Sequence, residues 1–478
     1  MPTAYKTPGV YVEEIPKFPP SVAPVETAIP AFIGYTEKAQ DAVAADLHLK
    51  PKRISSLVEY EQYFGGAQPE QSVTVAATVT TVSGVTTEQK AVANLTEAAR
   101  SKHIMYYALQ MFFANGGGPC WIVSVNPFVA TFGGALVETE LHAGLDALKK
   151  EDEPTLIVIP EAQSLSIADF KTLQDAALAQ CAELQDRFVI MDVHGGTISM
   201  SDHTSNLLSA VGNFRTNGIG TNHLKYGAAY APNVATTLDF VVDETKIDVT
   251  ITTDSTAAAA VKLNTLEAGN NALYALAKAA IRDMDCVVPP SSAMAGIYAA
   301  IDNSRGVWKA PANVSVANVI EPTIRFTNVE QDQMNVDVTA GKSVNAIRPF
   351  IGLGTLVWGA RTLAGNDNEW RYINVRRFFI FVEESVKKAT SQFVFEPNDA
   401  NTWVKVQGMI ENFLTTQWRQ GALQGSKPEL AFYVAVGLGK TMTALDILEG
   451  RLIIEIGMAA VRPAEFIILR FSHIMVQP

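Results

Sequence analysis

The sequence predicts an α/β fold: a central, mostly parallel sheet with helices on both faces, an α+β C-terminal domain, β-rich insertions and extended terminal β arms. Three observations lead there. Between residues 28 and 230, apolar runs of strand length alternate with amphipathic stretches of helical period, the pattern of buried parallel strands joined by crossover helices. Two stretches rich in Thr and Ala, at about 67–97 and 233–268, fall outside that alternation. Beyond Asn345, two long helical patterns are followed by further strands.

In chain order, residues 1–25 carry Pro8, Pro16, Pro19, Pro20 and Pro24 around one β-prone run, Val10-Tyr11-Val12-Glu13-Glu14-Ile15. Such a segment cannot form a helix and is too short to fold alone, so it reads as an extended arm. The domain proper begins at 26 and is expected to run to 345, with a strand at 29–34 and a short helix over 54–64 ended by Gly65-Gly66. Residues 67–97 read as a two-strand insertion, and 95–114 as a helix stopped by Asn115-Gly116. Strands at 120–125, 155–159, 187–193 and 224–230 then alternate with helices at 138–150, 167–184 and 202–214. The second insertion, 233–268, interrupts this order. The C-terminal domain, 346–478, is expected to hold helices over 370–393 and 403–418, strands at 431–436 and 451–456, and a β arm at about 464–478 that includes Phe466, Ile467, Ile468, Leu469, Arg470 and Phe471.

With 478 residues, 48% hydrophobic and 18% charged, the chain has ample apolar material for more than one packing unit. No run of 18 apolar residues occurs and the N-terminus lacks a basic stretch followed by an apolar one, so neither a membrane span nor a secretory signal is expected. Cys120, Cys181 and Cys286 lie in apolar contexts and read as reduced core thiols. A net charge of −12 argues against nucleic-acid binding, which needs clustered Lys and Arg. That charge is uneven: residues 346–478 hold 14 Lys/Arg and 12 Asp/Glu, net +2, leaving −14 on the remainder. The C-terminal part is therefore the one suited to an acidic partner.

Motifs for catalysis mostly fail. Gly437-Leu438-Gly439-Lys440-Thr441 and Gly341-Lys342-Ser343 lack the first Gly of a phosphate loop, having Val434 and Val336 in its place. Asn115-Gly116-Gly117-Gly118 precedes a strand and reads as a helix stop, not an anion cradle. No nucleophile elbow occurs, since Gly421-Ala422-Leu423-Gln424-Gly425 has Leu at its centre, and no His pair has zinc-ligand spacing. Asp192 with His194, at a strand end, is the residual candidate for enzyme chemistry, and Arg376-Arg377 reads as a solvated or interface face. No catalytic, cofactor or metal site is expected.

Several motifs resemble one family. Tyr5-Lys6-Thr7-Pro8-Gly9-Val10-Tyr11-Val12-Glu13-Glu14, Phe32-Ile33-Gly34-Tyr35, Phe64-Gly65-Gly66 and Phe112-Phe113-Ala114-Asn115-Gly116-Gly117 occur in the order seen in contractile tail sheath proteins. Trp358-Gly359-Ala360-Arg361-Thr362-Leu363, Trp370 to Arg377, Phe395-Glu396-Pro397-Asn398, Thr441-Met442-Thr443 and Arg462-Pro463-Ala464-Glu465-Phe466-Ile467 continue the likeness, while Ser124 stands where a basic residue is expected. The resemblance implies a non-enzymatic subunit that polymerises as stacked hexameric rings in a helical sheath around an inner tube, and contracts to drive the tube through a target envelope. It implies baseplate and terminator or cap proteins as further partners, no nucleic acid, no membrane insertion and no cofactor. Assembly is expected in the bacterial cytoplasm, as part of a virion tail or an extracellular phage-tail-like particle. The arms, Val10 to Ile15 and Phe466 to Phe471, are expected to pair with neighbouring subunits, because a strand edge left open is unstable until covered. Two rivals stand beside this reading: an α/β enzyme with its site near Asp192 and His194, and a passive tube or baseplate component.

Overall fold

Five consecutive parallel pairings run through the centre of a nine-stranded sheet, and they follow from strands too apolar to face water on either side. The computed structural model of the chain describes residues 21–83, 85–96, 99–195 and 204–468. Across the sheet the strands are Val314–Ser315, Gly354–Trp358, Val344–Phe350, Gly227–Ala231, Phe188–Asp192, Leu156–Val158, Pro30–Thr36, Cys120–Pro127 and Lys52–Ile54. Every pairing from Val344–Phe350 to Cys120–Pro127 is parallel, and antiparallel pairs occur only towards the two edges. The mostly parallel α/β sheet expected from the sequence is thus present.

Local chemistry sets the helix limits. Ile167–Leu184 starts where the Ser166 side chain accepts from Asp169 N, buries Phe170, Leu173, Ala177, Leu178 and Cys181, and stops at left-handed Gln185. Two expected starts need correction. Residues 95–114 are not one helix: Leu95 ends a strand opposite Val73, and the helix is Met105–Ala114. In between, the Glu70 carboxylate accepts from Ser72 N and Ser101 N and fixes the turn. Similarly, Ile54 is a strand residue paired with Cys120, and the following helix, Leu57–Phe64, is capped by Ser56. All three cysteines are buried and free. Ser124, in place of a basic residue, shares a 2.6 Å hydrogen bond with Thr36 inside the sheet, where both side chains are fully buried.

The two insertions are one structure. Asp248–Thr253 lies parallel to Val73–Val82, with Val249 beside Val75, and Val85–Leu95 completes the other side of the sheet. Val73, Val75, Val79, Ile247, Val249, Leu263 and Leu266 form a core separate from that of the main sheet. The helix Asn271–Arg282, beyond the expected limit of 268, contributes Leu273, Ala277 and Ile281 to it. At the other limit, Val234–Thr236 belongs to a different three-stranded sheet with Cys286–Val288 and Val319–Pro322. Helix Ser291–Arg305, buried along most of its length, was also not foreseen.

The chain forms two compact units, one of Glu26–Phe381 with the segment from Arg462, the other of Val382–Val461 with the segment ending at Val25. In the second, Ala400–Arg419 is capped by Asp399 and buries Val406, Met409, Ile410, Phe413 and Leu414. Its hairpin, Phe432–Val436 with Ile454–Met458, is a sheet of two strands among the described residues.

Because the insertions share a core, they are expected to fail singly. Replacing 73–95 with a short Gly-Ser linker uncovers Val249, Leu263 and Leu273, at about 1.5–3 kcal/mol for each side chain. Limited proteolysis should then cut within 245–282, whereas joint replacement of both segments should leave the thermal unfolding of the main sheet in place.

Candidate interface at the chain termini

Gly359, Ala360 and Arg361 follow the last strand of the hairpin 344–358, and the chain then doubles back on itself. Thr362 N donates to Arg371 O and Ile373 N to Ala360 O, so Arg361 lies against Tyr372 at the start of helix Ile373–Thr390. The buried Asn345 side chain locks this turn, accepting from Arg361 N at 2.8 Å and donating to Arg361 O at 2.8 Å. Glycine is required at 359, since a Cβ there would lie 2.7 Å from the Asn345 side-chain oxygen.

Arg361 holds the C-terminal tail. Its Nε donates to Glu465 Oε1 at 2.9 Å and its Nη2 to Oε2 at 2.6 Å, a bidentate pair with Arg361 almost fully buried. Asn335 Nδ2 and Tyr372 OH donate to the same carboxylate at 2.8 and 3.1 Å. Burial alone would raise the Glu465 pKa, but the hydrogen bonds from Arg361 and Asn335 outweigh it and hold the carboxyl below its ordinary range. Immediately beyond this anchor, Phe466, Ile467 and Ile468 are 69%, 79% and 77% exposed and belong to no strand.

Arg377, four residues into the helix, holds the start of the body in a parallel way. Its guanidinium donates to Asp302 Oδ1 and Oδ2 at 3.0 and 2.6 Å and to Thr27 O at 2.8 Å, while Thr27 Oγ1 donates to Asp302 Oδ2 at 2.6 Å. Arg377 also lies over the Tyr298 ring at 4.7 Å, and Arg376 over the rings of Tyr226 and Trp370 at 4.8 and 4.7 Å. Of the solvated or interface face expected for Arg376-Arg377, the solvated alternative is corrected: both are buried within their own chain. One segment, Gly359–Arg377, carries the anchors for both ends of the described body.

Of the expected pairing residues, Phe466, Ile467 and Ile468 stand on the surface, whereas Val10, Tyr11, Val12, Glu13, Glu14, Ile15, Leu469, Arg470 and Phe471 lie outside the described residues. The anchors were missed from sequence. Arg361 and Glu465 are 104 residues apart and Asp302 and Arg377 are 75 apart. Their trace in the sequence is a charged residue within an apolar motif at Arg361, Arg377 and Glu465, with none at Asp302.

The residues considered for chemistry have structural partners. Asp192 is buried and accepts from Ser291 N at 2.8 Å, at the start of helix Ser291–Arg305, and His194 Nε2 lies 2.9 Å from Leu165 O. In the Gly437 to Thr441 loop, the amides of Lys440, Thr441 and Met442 all donate to Gly437 O and are thereby taken from any phosphate. Lys342 Nζ is likewise spent on the carbonyls of Arg215 and Ile219. Among the described residues no group of three or more His, Cys, Asp or Glu could hold a metal ion, and no helix is long and apolar enough to cross a membrane.

Comparison with known proteins places this arrangement. Residues 365–473 match the family described as the phage tail sheath C-terminal domain. The solved structure of the anti-feeding prophage helical sheath in its contracted state superposes over 98% of this chain and 99% of that one, with a TM-score of 0.63 and 31% identity. The sheath complex of an extracellular contractile injection system, PVC, also in the contracted state, gives 98% of each chain, a TM-score of 0.63 and 28% identity. The tail sheath protein of Enterobacteria phage T4 is 26% identical over 123 residues, which span 25% of this chain and only 18% of that protein.

Two outcomes are expected at these sites. Arg361→Ala strands a half-buried carboxylate, at a cost of about 3 kcal/mol, so limited proteolysis at 462–468 should quicken while the main sheet stays uncut. Because the Glu465 pKa is depressed in the folded chain, its contribution is present above the ordinary carboxylate range and is lost as pH falls through the folded value, so acid should loosen the native tail in the same way. Asp192 is the opposite case. Burial, partly offset by hydrogen bonds from Ser291, pushes its pKa up to about 7. Its contribution is present below the ordinary carboxylate value and lost as pH rises through about 7. Asp192→Asn should therefore gain stability relative to the native chain as pH rises from about 4 to about 7, by about 4 kcal/mol in urea titrations.

Proposed function

We propose, from the premise that the chain belongs to the contractile tail sheath family, that it is a subunit which polymerises as stacked hexameric rings around an inner tube and contracts to drive that tube through a target envelope. The family membership rests on the whole-chain likeness to the anti-feeding prophage sheath. The observation that carries the mechanism is the pair of anchors on Gly359–Arg377. A subunit that transmits load through its termini needs each terminus fastened where it leaves the body, and buried bidentate Arg–carboxylate pairs resist displacement from a fixed geometry.

Beyond the anchors, the arms reach neighbouring subunits as strands. Phe466, Ile467 and Ile468 supply strand propensity without a strand partner among the described residues. The two-stranded hairpin Phe432–Val436 and Ile454–Met458 supplies the acceptor, because a sheet of two strands is marginal alone and gains from a third. Each added strand contributes several backbone hydrogen bonds at roughly 0.5–1.5 kcal/mol apiece. Such connections let rings rotate and close up without parting, and contraction is a change between two packings of the same subunits. Loop amides already satisfied at Gly437 accord with a cycle that uses no nucleotide. The net +2 of residues 346–478 suits them to face an acidic tube, and the baseplate and terminator proteins close the two ends. Assembly takes place in the bacterial cytoplasm, before release as a virion tail or an extracellular particle.

The test lies in the arms. Val12→Pro removes a backbone donor and fixes φ, which costs little in a free arm and breaks a shared sheet. This variant, and more severely deletion of residues 1–15, should remain folded by circular dichroism yet fail to form long sheaths when produced with the tube protein. Contractile sheaths of normal length from the truncated subunit would overturn the reading.

A further inference from the structure

The strand Val85–Leu95 is the outermost strand of the insertion sheet, and among the described residues nothing pairs with its outer edge. Eleven residues is long for an open edge, and no Pro interrupts it. The main sheet is finished differently, by edge strands of only two and three residues, Val314–Ser315 and Lys52–Ile54. On the outward face of the long strand stand Glu88, Lys90, Val92 and Asn94, all exposed, while Ala91, Ala93 and Leu95 turn towards the core shared with helix Asn271–Arg282, and a bulge at Thr87 shifts the pairing register beyond Glu88.

From this edge we infer that Val85–Leu95 pairs antiparallel with the same strand of a second copy of this chain, in the register centred on Gln89. The charge pattern selects both partner and register. Centring on Gln89 sets Glu88 of each copy opposite Lys90 of the other, two cross-strand pairs of opposite sign. Centring on Lys90 or on Glu88 would instead set two like charges face to face. The chosen register also places Gln89, an inward-facing position, opposite its own copy, so the inner faces of the two sheets remain on one side along 88–90, short of the bulge at Thr87. Within one chain Lys90 already lies 2.6 Å from Glu88, so each charge gains a second partner across the junction.

This contact is isologous and requires a two-fold axis between the copies. A helical assembly whose subunits all point one way along its axis has no such symmetry, so the contact joins two unassembled subunits or two separate assemblies. It is independent of the terminal arms.

Disulfide trapping reads the register directly, because the three native thiols are buried. Gln89→Cys places two thiols opposite each other, at the ~4.5–5.5 Å Cα spacing that a disulfide spans. The full-length variant should form a covalent dimer on mild oxidation. Val92→Cys alone should not, whereas Glu88→Cys mixed with Lys90→Cys should give the heterodimer. In sedimentation, Glu88→Lys and Lys90→Glu should each weaken dimerisation roughly tenfold. The double variant Glu88→Lys with Lys90→Glu should restore it, a rescue that a damaged fold would not give. The inference is overturned if Gln89→Cys crosslinks no better than Val92→Cys, or if the double variant associates no better than either single one. Because arm-linked neighbours never bring 89 opposite 89, these outcomes stand whether or not the arms act as connectors.

Discussion

Everything at the two ends of the described body depends on the backbone position of Gly359–Arg377, and that position depends on Asn345. With both hydrogen-bonding functions of its amide committed to the Arg361 backbone, Asn345 ties the turn to the central sheet through its own strand, Val344–Phe350. Arg361 and Arg377 then project guanidinium groups at fixed places. A lysine would not replace either, since the planar fork is what meets both carboxylate oxygens at once. The cost of burying these charges is offset by the hydrogen bonds from Thr27, Asn335 and Tyr372, which satisfy the remaining lone pairs.

The distribution of sheet edges separates the parts of the molecule that pack inwardly from those open to association. A parallel sheet covered by helices and finished by strands of two or three residues has no template to offer another chain. The hairpin at 432–458 and the strand Val85–Leu95 are finished in neither way. We propose that the hairpin meets the arms of neighbouring subunits and the strand Val85–Leu95 its own copy. The two differ in symmetry: arm exchange is head-to-tail and open-ended, and self-pairing is closed at two copies.

Much of the fold was legible locally. The helix Ile167–Leu184 and the strands through Phe188–Asp192 follow from period and composition, because each is long enough and apolar enough for local preference and tertiary burial to agree. Misreadings occurred where they disagree. Leu95 carries helical neighbours in sequence but lies on a β ladder opposite Val73. Arg376 and Arg377 look solvated because charge normally is, and the aromatic rings and the carboxylate that bury them come from 298, 226, 370 and 302.

The sequence by itself determined the α/β alternation, the helix stops at Gly65 and Asn115, the buried free thiols and the family that its motifs resemble. These are local properties, set by the residues within one or two turns of each position. The tertiary structure alone decided that two insertions some 170 residues apart are one sheet with one core, and that a single segment anchors both ends of the body. The physical reason is the same in both cases. Neither the Thr-rich strands nor the isolated charges carry any mark of their partner, since a pairing between distant residues exists only after the intervening chain has closed the loop between them.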